Sequence, residues 1–321
     1  MAEDRLSMSV LEAIGATPLV ALDRLCAGVD GRILAKLEYL NPGHSKKDRI
    51  ALAMIDEAES RGELLPEQTV VELTSGNCGT GLAIVCAVKD HPFVAVMSRG
   101  NSVERARMMR AFGAEVVLVD QHPGSVPGRV SGDDLDLVER QTQRVVIERG
   151  AFRANQFELA ACVRAHREHT ASEILAQSGG GRTAFCDFVG SGSSFCGCAT
   201  AFKEHDPSIR CYVVEPVGAA ALAGHQVTHP AHRIQGGGYA RAQLPLLDAG
   251  VVDGYLQVSD ASAVAMARDL ARREGLFAGF SSGANVAAAL QLLRGPCQGG
   301  CVAVLLSDSG MKYLSTDLWT Q

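Results

Sequence analysis

Short, nearly continuous apolar runs recur along the chain at 32–38 (RILAKLE), 69–73 (TVVEL), 93–97 (FVAVM), 115–119 (EVVLV), 184–189 (AFCDFV), 210–215 (RCYVVE) and 301–306 (CVAVLL). They are rich in β-branched residues and scarcely alternate with polar ones. That is the pattern of strands buried on both faces, and hence of a parallel sheet. Between the runs, apolar residues return at helical spacing. Residues 47–61 carry Ile50, Met54, Ile55 and Ala58 and stop at Gly62. Residues 103–112, 135–148, 159–177, 261–274 and 284–293 are spaced alike, so each predicts a helix. Alternation of strand and helix predicts a three-layer α/β architecture. Residues 121–133 and 224–246, rich in Gly and Pro with Ser or His, are expected to be surface loops or mobile flaps.

Composition narrows the class. A chain of 321 residues suggests about two domains. It is 47% hydrophobic and 21% charged, with a formal charge of −6 and no basic block. Such a chain builds its core without metal or disulfide, and nucleic acid is not expected as a partner. The ten cysteines are scattered, several of them inside apolar runs, such as Cys86 and Cys186. They read as small core hydrophobes, with no disulfide or zinc spacing, and a reducing cytoplasmic setting is expected. His225, His229 and His232 have no acidic neighbour at metal-like spacing, so no metal is expected. The segment MAEDRLSMSV reads as no signal peptide, and no apolar stretch is long enough to span a membrane.

In α/β sheets ligands bind beyond the carboxyl ends of the strands, so the strand-to-helix junctions hold the candidate chemistry. NPGHSKKDR (41–49) opens a helix. Ser45 with Asp48 reads as a capping box, yet two lysines there oppose the helix dipole. TSGNCGTG (74–81) follows TVVEL and places small and hydroxyl residues at a helix start, a site suited to carboxylate or phosphate. GSGSS (190–194) follows AFCDFV in the same way and reads as a phosphate cradle. FSSGAN (280–285) precedes an alanine-rich helix, and by itself Ser281 or Ser282 reads as its cap.

Together and in this order, these blocks resemble the cysteine synthase and cystathionine β-synthase family of pyridoxal-phosphate enzymes. The likeness runs from IGATPLV (14–20) to DSGMKYLSTDLW (308–319) and includes IQGGGY (234–239) and EGLFAGFSSGAN (274–285). It implies fold type II, like the tryptophan synthase β chain: two three-layer α/β/α domains with mostly parallel sheets. Residues 1–47 plus 148–321 would form the large cofactor domain, and 48–147 a smaller mobile one. The register selects Lys47, not Lys46, as the residue forming the Schiff base with pyridoxal 5'-phosphate. Thr74, Ser75, Asn77, Cys78 and Gln156 would hold the substrate carboxylate, with Asn77 also near the cofactor's phenolic oxygen. Gly190, Ser191, Gly192, Ser193 and Ser194 would bind phosphate, Ser281 would face the pyridine nitrogen, and Gly236 would lie at the lip of the site.

The resemblance further implies β-replacement on O-acetylserine or O-phosphoserine through an aminoacrylate intermediate. The cofactor is the electron sink and the freed lysine amine the base. Sulfide is the first expected acceptor, with amines or homocysteine as alternatives, and a homodimer is expected. Four departures stand out: Cys78 in place of a threonine, the phosphate loop reduced to GSGSS, His44 where glycine is common, and ELAACVRAH (158–166) after NQF. The last borders the substrate in the family and bears on the acceptor. A dehydratase is disfavoured by KDRI at 47–50. A full-length animal-type cystathionine β-synthase is disfavoured by the lack of haem-binding and regulatory extensions. A non-catalytic descendant is disfavoured by the retention of Lys47, Asn77 and Ser281.

Overall fold

The apolar runs pair into two separate sheets. The computed structural model describes residues 6–181 and 183–320, so MAEDR at the start lies outside it. One sheet has six strands in the order β1-β2-β10-β7-β8-β9: β1 (Leu19–Ala21), β2 (Arg32–Lys36), β10 (Cys301–Leu305), β7 (Ala184–Phe188), β8 (Arg210–Pro216) and β9 (Gly254–Val258). The other has four, in the order β5-β4-β3-β6: β5 (Glu115–Val119), β4 (Phe93–Ser98), β3 (Val70–Leu73) and β6 (Phe152–Arg153). Every pairing is parallel except β1 with β2. The predicted runs all become strands. The sequence pattern did not mark β1, β6 and β9, which are short or partly exposed edge pieces without a continuous apolar run.

Among the described residues nine α-helices cover the sheets: α1 (Lys47–Ser60), α2 (Asn77–Val88), α3 (Val103–Ala111), α4 (Gly132–Arg149), α5 (Ala161–Ala165), α6 (Ser172–Gln177), α7 (Ser193–His205), α8 (Asp260–Asp269) and α9 (Phe280–Leu293). The run expected over 159–177 is broken by a π-helical segment at His166–Ala171, and α8 continues as another at Leu270–Glu274. Helix α9 starts at Phe280 rather than 284, because Phe280 is buried edge-on against Tyr313 with ring centroids 5.1 Å apart.

Pleating explains the layers. On β7, Ala184, Cys186 and Phe188 join the core beneath α8 and α9, whereas Phe185 joins the core under α7, the two-residue period of a strand packed on both faces. In the smaller sheet, Val70, Phe93, Ala95 and Met97 pack towards α1, α2, α3 and α5. Val71, Leu73, Val94 and Val96 pack towards α4. Each sheet is therefore the middle of an α/β/α sandwich. No helix among the described residues is long and apolar enough to cross a membrane.

Beneath the start of α1 lies a buried ionic cluster. Arg49 donates from Nε to Glu38 (2.8 Å) and from Nη1 to Glu173 (2.7 Å), while Lys36 pairs with Glu173 at 2.6 Å. These bonds hold the Glu173 carboxyl down at about 2 against the pull of burial. Removing one partner from such a cluster strands a buried charge. Arg49→Ala is expected to lower unfolding free energy by about 3–5 kcal/mol, read by denaturant titration at neutral pH. A loss under about 1 kcal/mol would show that the cluster relaxes into solvent.

Candidate active site

The segments that follow β2, β3, β4, β6, β7 and β8 enclose a narrow cavity. Its volume is about 30 Å³. Lys47, Thr74, Ser75, Asn77, Cys78, Gln156, Ser191 and Gly236 all line it. Eight residues chosen from five separate stretches of sequence thus meet at one place.

Helix capping differs between the surface and this cavity. Helix α4 begins with a Ser131–Asp134 capping box, and α8 is capped by Ser259. Helices α1, α2, α7 and α9 have no side-chain cap, and the last three start at glycine. The capping box expected at Ser45 and Asp48 is absent: Asp48 turns back and accepts the N–H of Gly43, and Ser45 Oγ accepts only the Lys47 N–H at 3.3 Å. The cap expected from Ser281 or Ser282 is absent as well, since both lie inside α9. Helix starts left without side-chain acceptors are natural anion sites.

The two adjacent lysines have different fates. Lys46 is tied to Asp187 at 2.7 and 2.9 Å in a buried pair. Asp187 also accepts Ser194 Oγ at 2.6 Å and Asn285 Nδ2 at 2.9 Å. Lys47 Nζ meets Ser191 Oγ at 3.3 Å and pairs with no carboxylate among the described residues. Burial, aided by the neighbouring Lys46 charge, pushes its pKa down, favouring the neutral amine.

The loop after β3 is built around Thr74 and Arg105. Thr74 Oγ1 accepts the N–H groups of Gly76 and Gly79, each at 2.9 Å, and keeps its own proton to donate. Gly76 has φ +127°, and a Cβ there would lie 2.5 Å from Arg105 Cδ, so a larger residue would displace the loop. Arg105 donates to the Ser75 carbonyl at 2.6 Å and to the Tyr313 hydroxyl. Ser75 Oγ is hydrogen-bonded to Tyr239 at 2.9 Å. Gln156 donates to the Leu73 carbonyl at 3.3 Å. Cys78 is buried and its thiol pKa is pushed well up by that burial, which keeps it protonated and unreactive.

In the loop after β7, Ser191 reaches the cavity, hydrogen-bonded to Ser193 at 3.1 Å. Gly190 passes so close to the 234–238 strap that a Cβ would sit 2.6 Å from Gly236 O. Gly190, Gly192, Ser193, Ser194 and Ser281 do not line the cavity. Besides Leu73, the last residue of β3, three wall residues escaped the sequence reading of the site: Arg105, Phe157 and Tyr239. The first follows the β4 junction, SRGNSVER, which the same strand-end logic would have flagged. The other two were in the quoted blocks NQF and IQGGGY. Behind Asn77 stand Lys312 and Asp308, both fully buried. Burial lowers Lys312 to about 8 and raises Asp48 to about 7.

This donor set fits pyridoxal phosphate: a half-buried amine, a glycine–serine turn at an uncapped helix start for a phosphate, and a second such turn for a carboxylate. A model of the pyridoxal-phosphate dependent enzymes matches residues 10–308. The chain is 40% identical to O-ureido-L-serine synthase of Streptomyces lavendulae, over 97% of this chain and 92% of that protein. It is 36% identical to cysteine synthase of Staphylococcus aureus, over 97% of each. Its fold superposes on a hydrogen sulfide-producing enzyme from Fusobacterium nucleatum with a TM-score of 0.88 and 36% identity, covering 98% of this chain and all of that one. The chain belongs to the pyridoxal-phosphate-dependent enzymes of fold type II, in the cysteine synthase family.

Proposed function

We propose that this protein exchanges the β-substituent of an O-acyl-L-serine for a small nucleophile, with Lys47 holding the cofactor and moving the α-proton. The observation that carries the reading is the contrast between the two lysines: Lys46 is spent on Asp187, while Lys47 lines the cavity half-buried, with no ionic partner among the described residues. The bound cofactor supplies an electron sink for the substrate α-carbon. The neutral Lys47 amine, favoured by burial, is the form that attaches to a carbonyl and accepts a proton. Thr74, Ser75, Asn77 and Gln156 would orient the substrate carboxylate, and residues 190–194 the cofactor phosphate. Tyr239 and Phe157 roof the cavity, their rings 6.5 Å apart, and would exclude water.

The charges lining the cavity bear on the leaving group. Its cations among the described residues are Lys47 and Arg105. Arg105 is fully buried with its guanidinium turned to Ser75 O and Tyr313. Lys47 is reserved for the cofactor and both Arg105 Nη groups are engaged, leaving only the buried Arg105 Nε without a partner, which favours O-acetyl-L-serine over O-phospho-L-serine. The 36% identity to cysteine synthase along the chain favours sulfide as acceptor, and a cavity of about 30 Å³ is too small for cofactor and substrate as it stands. Substrate entry then requires the walls to part, with residues 48–147 moving as the smaller unit. The higher identity to O-ureido-L-serine synthase favours a second reading, in which hydroxyurea is the acceptor.

Visible absorption tests the reading. Wild-type protein is expected to show the bound-cofactor band, Lys47→Ala to lose it, and Lys46→Ala to keep it at reduced stability. A Lys47→Ala protein with the wild-type band would overturn the assignment. Turnover with O-acetyl-L-serine should exceed that with O-phospho-L-serine by at least about tenfold in kcat/KM; parity or reversal would refute the leaving-group argument. Supplying sulfide or hydroxyurea in competition then separates the two acceptors by product. Gly190→Ala is expected to weaken cofactor affinity by about tenfold or more through the clash with Gly236 O, measured by titration of cofactor-stripped protein. An unchanged dissociation constant would show that the strap yields.

A further inference from the structure

The block DSGMKYLSTD reads in sequence as architecture at the C-terminal end of the fold. In space it returns to the cavity. After β10 the chain turns through a single 3-10 turn, Gly310–Tyr313, capped by Ser309. This places Asp308 and Lys312, neither of them exposed, behind Asn77. The Lys312 ammonium donates to Asn77 Oδ1 at 2.8 Å and to the Gly43 carbonyl at 2.8 Å. Asp308 Oδ2 accepts Asn77 Nδ2 at 2.7 Å and the Tyr313 hydroxyl at 2.7 Å.

The chemistry of these partners decides which way the Asn77 amide points. Its oxygen and nitrogen are nearly identical in size, so packing does not distinguish the two orientations. An ammonium has donors and no acceptor, so it can bond only to the amide oxygen. An ionised carboxylate has acceptors and no donor, so it can bond only to the amide nitrogen. A reversed amide would place N–H against N–H and oxygen against oxygen, facing two fully buried charged side chains. With Oδ1 taken by Lys312 and one N–H taken by Asp308, the amide retains one N–H, and Asn77 lines the cavity beside Lys47.

The same ammonium fixes a second distance. Gly43, whose carbonyl it binds, lies in the loop leading into Lys47, and the Gly43 N–H is held by the Asp48 carboxylate. One buried cation therefore ties the loop carrying Lys47 to the loop carrying Asn77.

We infer that Lys312 and Asp308 are positioning residues that turn the Asn77 amide so that it presents an N–H, not its carbonyl, to pyridoxal phosphate. The inference rests on the reading that the Lys47 cavity holds that cofactor. Neither residue touches the cavity itself; both act through Asn77.

The test compares the visible band of the cofactor-loaded protein, its dissociation constant for pyridoxal phosphate, and the melting temperature of cofactor-stripped protein. Lys312→Met, similar in length but without charge or donor, is expected to shift the band and weaken affinity by about tenfold, the effect of one lost charge-assisted hydrogen bond. Lys312→Arg, which keeps charge and donors, should hold the wild-type band. In an Asn77→Ala background the Lys312→Met change should add nothing further, because its target is gone. A folded Lys312→Met protein with wild-type band and affinity overturns the inference, as does an independent further loss in the Asn77→Ala background. Should Lys312→Met fail to fold, Asp308→Leu, similar in size but with no acceptor for the Asn77 N–H, decides: a shifted band supports the inference and an unshifted one overturns it. If wild-type protein itself develops no cofactor band, the reading of the site falls and this inference with it. If the wild type does but the variants match it, only this inference falls.

Discussion

One buried carboxylate organises this site. Asp187, at the end of β7, receives both Lys46 contacts, the Ser194 hydroxyl and the Asn285 amide. A carboxylate removed from water is tolerated only when its lone pairs are filled, and filling them binds together the start of α1, the start of α7 and the first turns of α9. The pairing also sorts the two lysines. Because Lys46 neutralises Asp187, Lys47 has no ion-pair partner, and its amine is left with a depressed pKa at the cavity. A single interaction thus both positions the 190–194 turn and leaves, beside it, an amine that pairs with no carboxylate among the described residues.

The rest of the cavity follows from helices that begin without side-chain caps. A serine cap, as on α4 or α8, would stabilise α2 or α7 by about 1 kcal/mol and fill the place a ligand anion would take. Glycine starts leave that place open. Close packing then makes the glycines hard to replace: Gly76 is pressed by Arg105, and Gly190 by the Gly236 carbonyl. Arg105, Tyr313, Asp308, Lys312 and Asn77 form one connected polar chain, so loops from both sheets are held in register by hydrogen bonds rather than by apolar contact.

The departures from the family pattern take on physical meaning in this frame. Cys78 in place of threonine keeps the backbone of the loop, because Thr74 alone supports its amides. The altered segment 158–166 leads into a π-helical stretch containing the buried His166 and packs Ala161 and Cys162 against α1. Its change in composition therefore acts on the support beneath α1, and none of its residues lines the cavity.

The sequence by itself determined the class of fold and most of the site. Parallel buried strands announce themselves as continuous apolar runs because both faces are covered, and loops at their carboxyl ends carry small and hydroxyl residues because backbone must approach a ligand. Ordered blocks around Lys47, Asn77, Ser191 and Gly236 were therefore legible, and all four residues meet at one cavity. Tertiary structure alone decided the caps, the wall residues and the second layer. Asp48 was a plausible cap partner locally but found Gly43 instead; Ser281 lies in the first turn of α9 and does not line the cavity; short edge strands had no pattern to show. Lys312 is the clearest case. An isolated lysine near the C-terminal end of the chain looks like surface charge. Its role depends on a hydrogen bond to a residue 235 positions away, and local periodicity carries no information about a contact at that separation.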